Sequence, residues 1–234
     1  MMKKIKGIIF DKDGTLFDIQ RSWSEWAKVF VTKFSNQHNL DTLKLAKAIN
    51  FDLASDKFVR ESIFVHGSVD EVVDAIFQKF PQVTKKKIHE GLFEGSGDAK
   101  QVPLTNLHKL FTNLETITLG LVTNDSETNG IKHLKQHDLT QYFDMIIGYD
   151  SGYGSKPEPG QLEAFLRKTN LLPQEVLMIG DSTYDLVAAN KINMPCLGVL
   201  SGTANKKDLS AHTPFIIDSI DELEAWLKKA FLVR

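Results

Sequence analysis

Ile8-Ile9-Phe10-Asp11-Lys12-Asp13-Gly14-Thr15-Leu16 decides the reading of this chain. An apolar run enters two carboxylates set two residues apart, and a strand places residues i and i+2 on the same side. Asp11 and Asp13 therefore leave the strand end aimed at one spot, and Gly14 permits a sharp turn behind them. Neighbouring carboxylates repel, so the pair calls for a cation or a shared proton, and all-oxygen ligation suits a hard ion such as magnesium. A polar turn after a buried strand would carry the same letters, so the stretch is weighed with the rest of the chain.

Downstream the periodicity changes. Trp23, Trp26, Ala27, Phe30, Val31 and Phe34 recur at helical spacing and predict an amphipathic helix. Helical stretches follow around 43–53 and 56–64, then at 68–80, where Ser68 and Glu71 have capping-box spacing, and at 84–93. No convincing strand is read between about 19 and 97. From Pro103 helices and strands alternate: helix 104–114, strand 117–123, helix 130–138, strand 145–148, helix 159–170, strand 176–180, helix 184–192, strands 196–200 and 215–217, and helix 221–231. This rhythm argues a parallel sheet covered by helices on both faces, with the first strand belonging to the sheet and the helical block inserted after it. The block is entered near Phe17–Gln20 and left through Gly95–Pro103.

Composition narrows the class without choosing the chemistry. A chain of 234 residues, 42% hydrophobic and 25% charged, is an ordinary globular length and make-up. With 28 basic and 30 acidic residues there is no charge argument for nucleic acid or an anionic membrane as partner. The single Cys196 sits in an apolar run and reads as a packing residue. No run reaches membrane-spanning length, and the apolar stretch near the N-terminus is too short for a signal-peptide core, so a cytoplasmic protein is expected.

Ligand sites of open parallel sheets lie at the carboxyl ends of the strands. The residues just past each predicted strand are therefore informative. Thr123-Asn124-Asp125-Ser126 brings a hydroxyl and N-cap residues to the start of a helix, a plausible phosphate cradle. Lys156-Pro157 comes after the next strand and loop. Gly180-Asp181-Ser182-Thr183-Tyr184-Asp185 closes the strand at 176–180 and opens a helix. A nicotinamide site would need Gly-x-Gly-x-x-Gly after a strand, and Gly154-Ser155-Lys156 has the wrong order for a P-loop.

Taken together, these four stretches resemble the haloacid dehalogenase superfamily, most of whose members transfer phosphoryl groups through an aspartyl-phosphate. Asp11-Lys12-Asp13-Gly14-Thr15-Leu16 resembles its opening motif, Leu121-Val122-Thr123-Asn124 its second, Lys156-Pro157 its third, and Gly180-Asp181 with Asp185 its fourth. Asp13 resembles the phosphatase and phosphomutase branch, since dehalogenases of the superfamily lack the second Asp and P-type pumps carry Thr there. Ser155 and Asn193 stand where the family commonly has Gly, and Asn tolerates the left-handed turn that ends a helix.

The resemblance implies a Rossmann-like three-layer α/β core over residues 1–18 and 98–234, with an all-helical cap domain over 19–97. It implies Asp11 as nucleophile, Asp13 as general acid and base, and Thr123, Asn124 and Lys156 around the phosphoryl oxygens. Mg2+ would be held by Asp11, Asp13 through its main-chain carbonyl, and Asp181, with Asp185 in support. The expected partner is a small phosphoester, phosphoglycolate-like or a sugar phosphate, and the chain is expected as a monomer or homodimer. The alternatives are a phosphomutase of the β-phosphoglucomutase type and a non-catalytic phosphate-binding protein. That mutase carries a His early in its cap, whereas the corresponding place here is near Trp23, which favours hydrolysis. For substrate reading, Arg21, Lys57, Arg60 and His66 are the cap residues able to meet a second anionic group.

Overall fold

The computed structural model describes residues 4–59, 62–202 and 204–231. In chain order the elements are β1 (Gly7–Phe10), α1 (Ile19–His38), α2 (Thr42–Ala48), β2 (Phe51–Asp52), β3 (Lys57–Phe58), α3 (Ile63–His66), α4 (Val69–Lys79), α5 (Lys85–Phe93) and α6 (Leu107–Thr112). They continue with β4 (Thr118–Val122), α7 (Glu127–Lys135), β5 (Met145–Ile147), α8 (Gly160–Thr169), β6 (Val176–Gly180), α9 (Thr183–Lys191), β7 (Cys196–Val199), α10 (Lys206–Ser210), β8 (Ile216–Ile217) and α11 (Leu223–Phe231).

The main sheet is parallel throughout, in the order β5-β4-β1-β6-β7-β8. Because β1 lies between β4 and β6, its last residue Phe10 is paired with Leu121 on one side and Ile179 on the other. Alternation along β1 divides the core. Ile8 and Phe10 pack with Phe111, Leu121 and Leu223 on one face, while Ile9 packs with Phe165, Met178 and Leu186 on the other. Two covered faces explain why the strands read as continuous apolar runs. The architecture is the expected Rossmann-like α/β core. Asn193 has φ of 55°, the left-handed turn foreseen after α9.

Residues between Ile19 and Ala99 form a third apolar cluster of their own. The six residues at helical spacing on α1 are all buried in it, and Asp18 caps the helix by accepting from the Arg21 amide at 3.0 Å. The Ser68–Glu71 capping box is present on α4: Ser68 N donates to Glu71 Oε2 at 2.8 Å, and Glu71 N to Ser68 Oγ at 3.3 Å.

One part of this block departs from the sequence reading. Residues 51–53 and 56–58, read as the end of one helix and the start of the next, belong instead to the antiparallel β2–β3 hairpin. Two causes are visible. Asp52 draws the Ala54 amide (3.0 Å) and the Ser55 hydroxyl (2.7 Å) into a local turn, and Asp56 takes φ of 53°. Gln20 of α1 then bonds both backbone groups of Phe58, its amide donating to Phe58 O and accepting from Phe58 N, each at 2.9 Å. Of the cap residues considered for substrate reading, Arg21 and Lys57 are exposed. Arg60 and the side chain of His66 lie outside the described residues. No helix among the described residues is long and apolar enough to cross a membrane.

Candidate active site

Adjacent strands β4, β1 and β6 end side by side, so the residues just beyond them share one edge of the sheet. Asp11 follows β1, Thr123 and Asn124 follow β4, and Asp181 follows β6. Lys156 arrives from the loop between β5 and α8, where Asn124 clamps it: Lys156 N donates to Asn124 Oδ1 and Asn124 Nδ2 to Lys156 O, both at 2.9 Å. The Lys156 ammonium donates to Asp11 Oδ1 (2.6 Å), Asp185 Oδ1 (2.6 Å) and the Val122 carbonyl (3.0 Å), which uses all three of its protons. The other oxygen of Asp185, Oδ2, accepts from the amide and hydroxyl of Ser182 at the start of α9.

Burial governs the charges here. It pushes the Asp11 carboxyl up to about 7, with Lys156 opposing and Asp185 reinforcing the rise. Asp181 is driven well above the usual carboxylate range by burial and then by Asp11 and Asp185. Burial pulls the Lys156 ammonium down, but Asp11 and Asp185 outweigh it and raise the group above its ordinary value. Oxygens of Asp11, Asp181 and Asp185 lie within 4.8 Å of one another. Asp181 Oδ2 is buried with no hydrogen-bond partner, while the Asp185 oxygens are occupied by Lys156 and Ser182. A hard cation fits this donor set, with Asp11 and Asp181 as carboxylates at hand and Asp185 in support. Gly14, at φ of 86°, leaves the necessary room, since a Cβ there would stand 2.6 Å from Asp181 Oδ2; at Gly202 a Cβ would come closer still.

Asp13 turns to a different set of partners. Its Oδ1 accepts from Trp23 Nε1 at 2.6 Å, and its Oδ2 pairs with Lys12 Nζ at 2.7 Å. Its carboxylate is not among the three that converge. Although burial opposes ionisation, Lys12 and Trp23 hold the Asp13 carboxyl below its ordinary value. Lys12 is itself wholly buried, reaching His133 Nδ1 at 3.0 Å and Asp125 Oδ2 at 3.2 Å, with the Trp23 ring 5.1 Å away. His133 Nε2 meets the Ser96 carbonyl at 3.0 Å. Sequence reasoning does not mark Lys12, Trp23, Asp125 or His133 as site residues. Lys12 lies 121 residues from His133, and no local spacing signals such a pair. Cys196 is buried and its thiol is pushed up to about 11 by that burial, in keeping with a packing residue.

Between this edge and the helical block lies a cavity of about 80 Å³. Asp11, Asp13, Asp181, Thr123 and Lys156 line its floor, and Trp23, Trp26 and Phe64 stand over them. The arrangement places a carboxylate, a buried ammonium and an unpartnered acidic oxygen against a small, partly open cavity.

Comparison with known proteins bears on the fold and the family. The chain is 28% identical to a phosphoglycolate phosphatase of Vibrio vulnificus over 228 residues, covering 94% of this chain and 95% of that protein. Among solved structures, a predicted phosphoglycolate phosphatase of Haemophilus somnus superposes with a TM-score of 0.71 at 19% identity, covering 97% and 99% of the two chains. The L-2-haloacid dehalogenase of Xanthobacter autotrophicus shares the fold with a TM-score of 0.63 at 14% identity, covering 96% and 98%. The profile of the haloacid dehalogenase-like hydrolases matches residues 8–199, and the chain belongs to that family.

Proposed function

We propose that the protein is a magnesium-dependent phosphomonoesterase working through an aspartyl-phosphate on Asp11. One observation carries the reading: at the end of β1 a carboxylate is gripped by a fully engaged lysine beside an acidic oxygen that has no partner. Asp11 attacks phosphorus in line, the bond to the ester oxygen breaks, and Asp13 gives that oxygen a proton. Water then attacks the phosphoenzyme, Asp13 takes its proton, and inorganic phosphate leaves Asp11 as it began. Asp13 as held here is ionised, the form the second half requires; a phosphoryl dianion beside it favours the protonated form needed first. Thr123 and the backbone at Asn124 stand where they can hold the equatorial oxygens, while the charge of Lys156 beside Asp11 offsets theirs. Mg2+ held by Asp11, Asp181 and the main-chain carbonyl of Asp13 would offset the repulsion between carboxylate and phosphate.

In this reading residues 19–97 act as a cap over a core of 1–18 and 98–234, excluding water and contacting the group that leaves. Trp23 directs its N–H to Asp13 and supplies no base from the cap, which favours hydrolysis over phosphoryl transfer to a sugar. The names of the Vibrio relatives make phosphoglycolate one candidate ester.

The test is hydrolysis of p-nitrophenyl phosphate and acetyl phosphate with magnesium and with chelator, for the wild type and Asp11→Asn. Magnesium-dependent turnover that falls by at least about 10³-fold in the variant is expected. Equal turnover by Asp11→Asn overturns the nucleophile, and silence with both esters favours the phosphate-binding reading.

A further inference from the structure

The cavity over Asp11 has two unlike halves. Its floor carries the carboxylates of Asp11, Asp13, Asp125 and Asp181 and one ammonium, Lys156, whose protons are all bonded to protein oxygens. The half contributed by the helical block is carbon, from Trp23, Trp26, Phe64, Val69, Val72 and Leu92. Both indoles have committed their N–H groups, Trp23 to Asp13 at 2.6 Å and Trp26 to the Glu94 carbonyl at 3.1 Å. The Ser96 hydroxyl donates to the Phe93 carbonyl and accepts from Asn129 Nδ2, each at 3.0 Å. Among the described residues, no lysine, arginine or histidine of the helical block lines this cavity.

Consider the atoms that leave with the ester oxygen. A carboxylate among them would be taken out of water against an apolar wall where, among the described residues, no cation of the helical block meets it, which is strongly unfavourable. Sugar hydroxyls directed at the wall of the helical block would meet carbon and go unpaired there. An alkyl or small aromatic group would instead bury its surface against aromatic rings, gaining the transfer free energy that the other two forfeit. A cavity of about 80 Å³ also favours a short group.

We infer that the preferred substrate is the phosphomonoester of a small, uncharged, apolar alcohol, and that esters bearing a carboxylate, phosphoglycolate included, are poor substrates. This rests on the phosphomonoesterase reading above and departs from the substrate named for the Vibrio relatives.

The deciding experiment compares kcat/KM, with magnesium, for n-propyl phosphate, isobutyl phosphate, phosphoglycolate and glycerol phosphate. The two alkyl esters are expected to exceed phosphoglycolate by roughly 10- to 100-fold, the discrimination a pocket reaches through unpaired or lost contacts. A second arm uses Val69→Lys, which sets an ammonium in the apolar wall; the ratio of phosphoglycolate to n-propyl phosphate turnover should rise at least about tenfold. Folding of the variant is checked by circular dichroism, and if it does not fold the wild-type series decides alone. Phosphoglycolate hydrolysed as well as the alkyl esters, or better, overturns the inference and leaves the phosphomonoesterase intact. Silence on the whole series with turnover of acetyl phosphate overturns the inference alone, and silence on acetyl phosphate and p-nitrophenyl phosphate as well overturns both.

Discussion

Asp11 and Lys12 stand side by side in the chain, yet each meets its own buried ion cluster. Asp11 joins Lys156, Asp181 and Asp185, while Lys12 joins Asp13, Asp125 and His133. The residues at the carboxyl end of each strand lead to the first cluster, because topology alone brings strand ends together. The second depends on an apolar stretch of α1 delivering Trp23 and on α7 delivering His133; the helical spacing that marks Trp23 reads only as packing, and His133 carries no spacing signature at all. Lys12→Met keeps the length of the side chain and removes the charge, leaving Asp13 and Asp125 buried without their cation. A loss of about 3–5 kcal/mol in unfolding free energy is expected from urea titration, with part of it recovered by adding Asp125→Asn. The first cluster gives a different prediction. With Asp11 pushed up to about 7, the metal-free site carries a proton below that pH and must release it to take up a cation. Magnesium affinity should therefore weaken by up to about tenfold for each unit of acidification below 7. Calorimetry at pH 6 in two buffers of different ionisation enthalpy would reveal the released proton, and pH-independent binding would contradict the assignment of Asp11 as ligand.

At the level of elements, helices with a long apolar period and strands buried on both faces were legible because each carries its own pattern over many residues. The β2–β3 hairpin was not. Its strands are two residues each, too short for alternation to register, and α1 fixes one of them from outside through Gln20. Propensity yields here to a tertiary contact. Gln20→Ala would leave the Phe58 amide and carbonyl without these partners beneath a buried ring. The cost should be about 1–3 kcal/mol, read as a drop in thermal midpoint of roughly 2–12 °C for a chain of this size. An unchanged midpoint would mean that the hairpin is held by its aromatic packing alone.

Across the whole molecule, the Rossmann-like core follows from the order of its elements, whereas the closeness of the helical block to the strand ends does not. That closeness rests partly on polar groups at the return to the core. His133 of α7 faces Lys12 through Nδ1 and the Ser96 carbonyl through Nε2. An ammonium can only donate and a carbonyl can only accept, so the imidazole is neutral and carries its proton on Nε2. Burial, and then Lys12, pull its pKa from 6.5 down to about 3. Between these values the unfolded chain binds a proton that the folded protein refuses. Stability is then complete above 6.5 and falls as pH drops toward 3, by up to about 1.4 kcal/mol per pH unit from this one residue. His133→Gln offers an oxygen to Lys12 and an N–H to Ser96 without a titrating group. Unfolding free energies measured between pH 7.5 and 4.5 should show the wild type losing about 2–3 kcal/mol more than the variant over that range. Parallel curves would mean that the imidazole can be protonated in the folded state, and that the junction between core and helical block opens as readily as the unfolded chain takes up the proton.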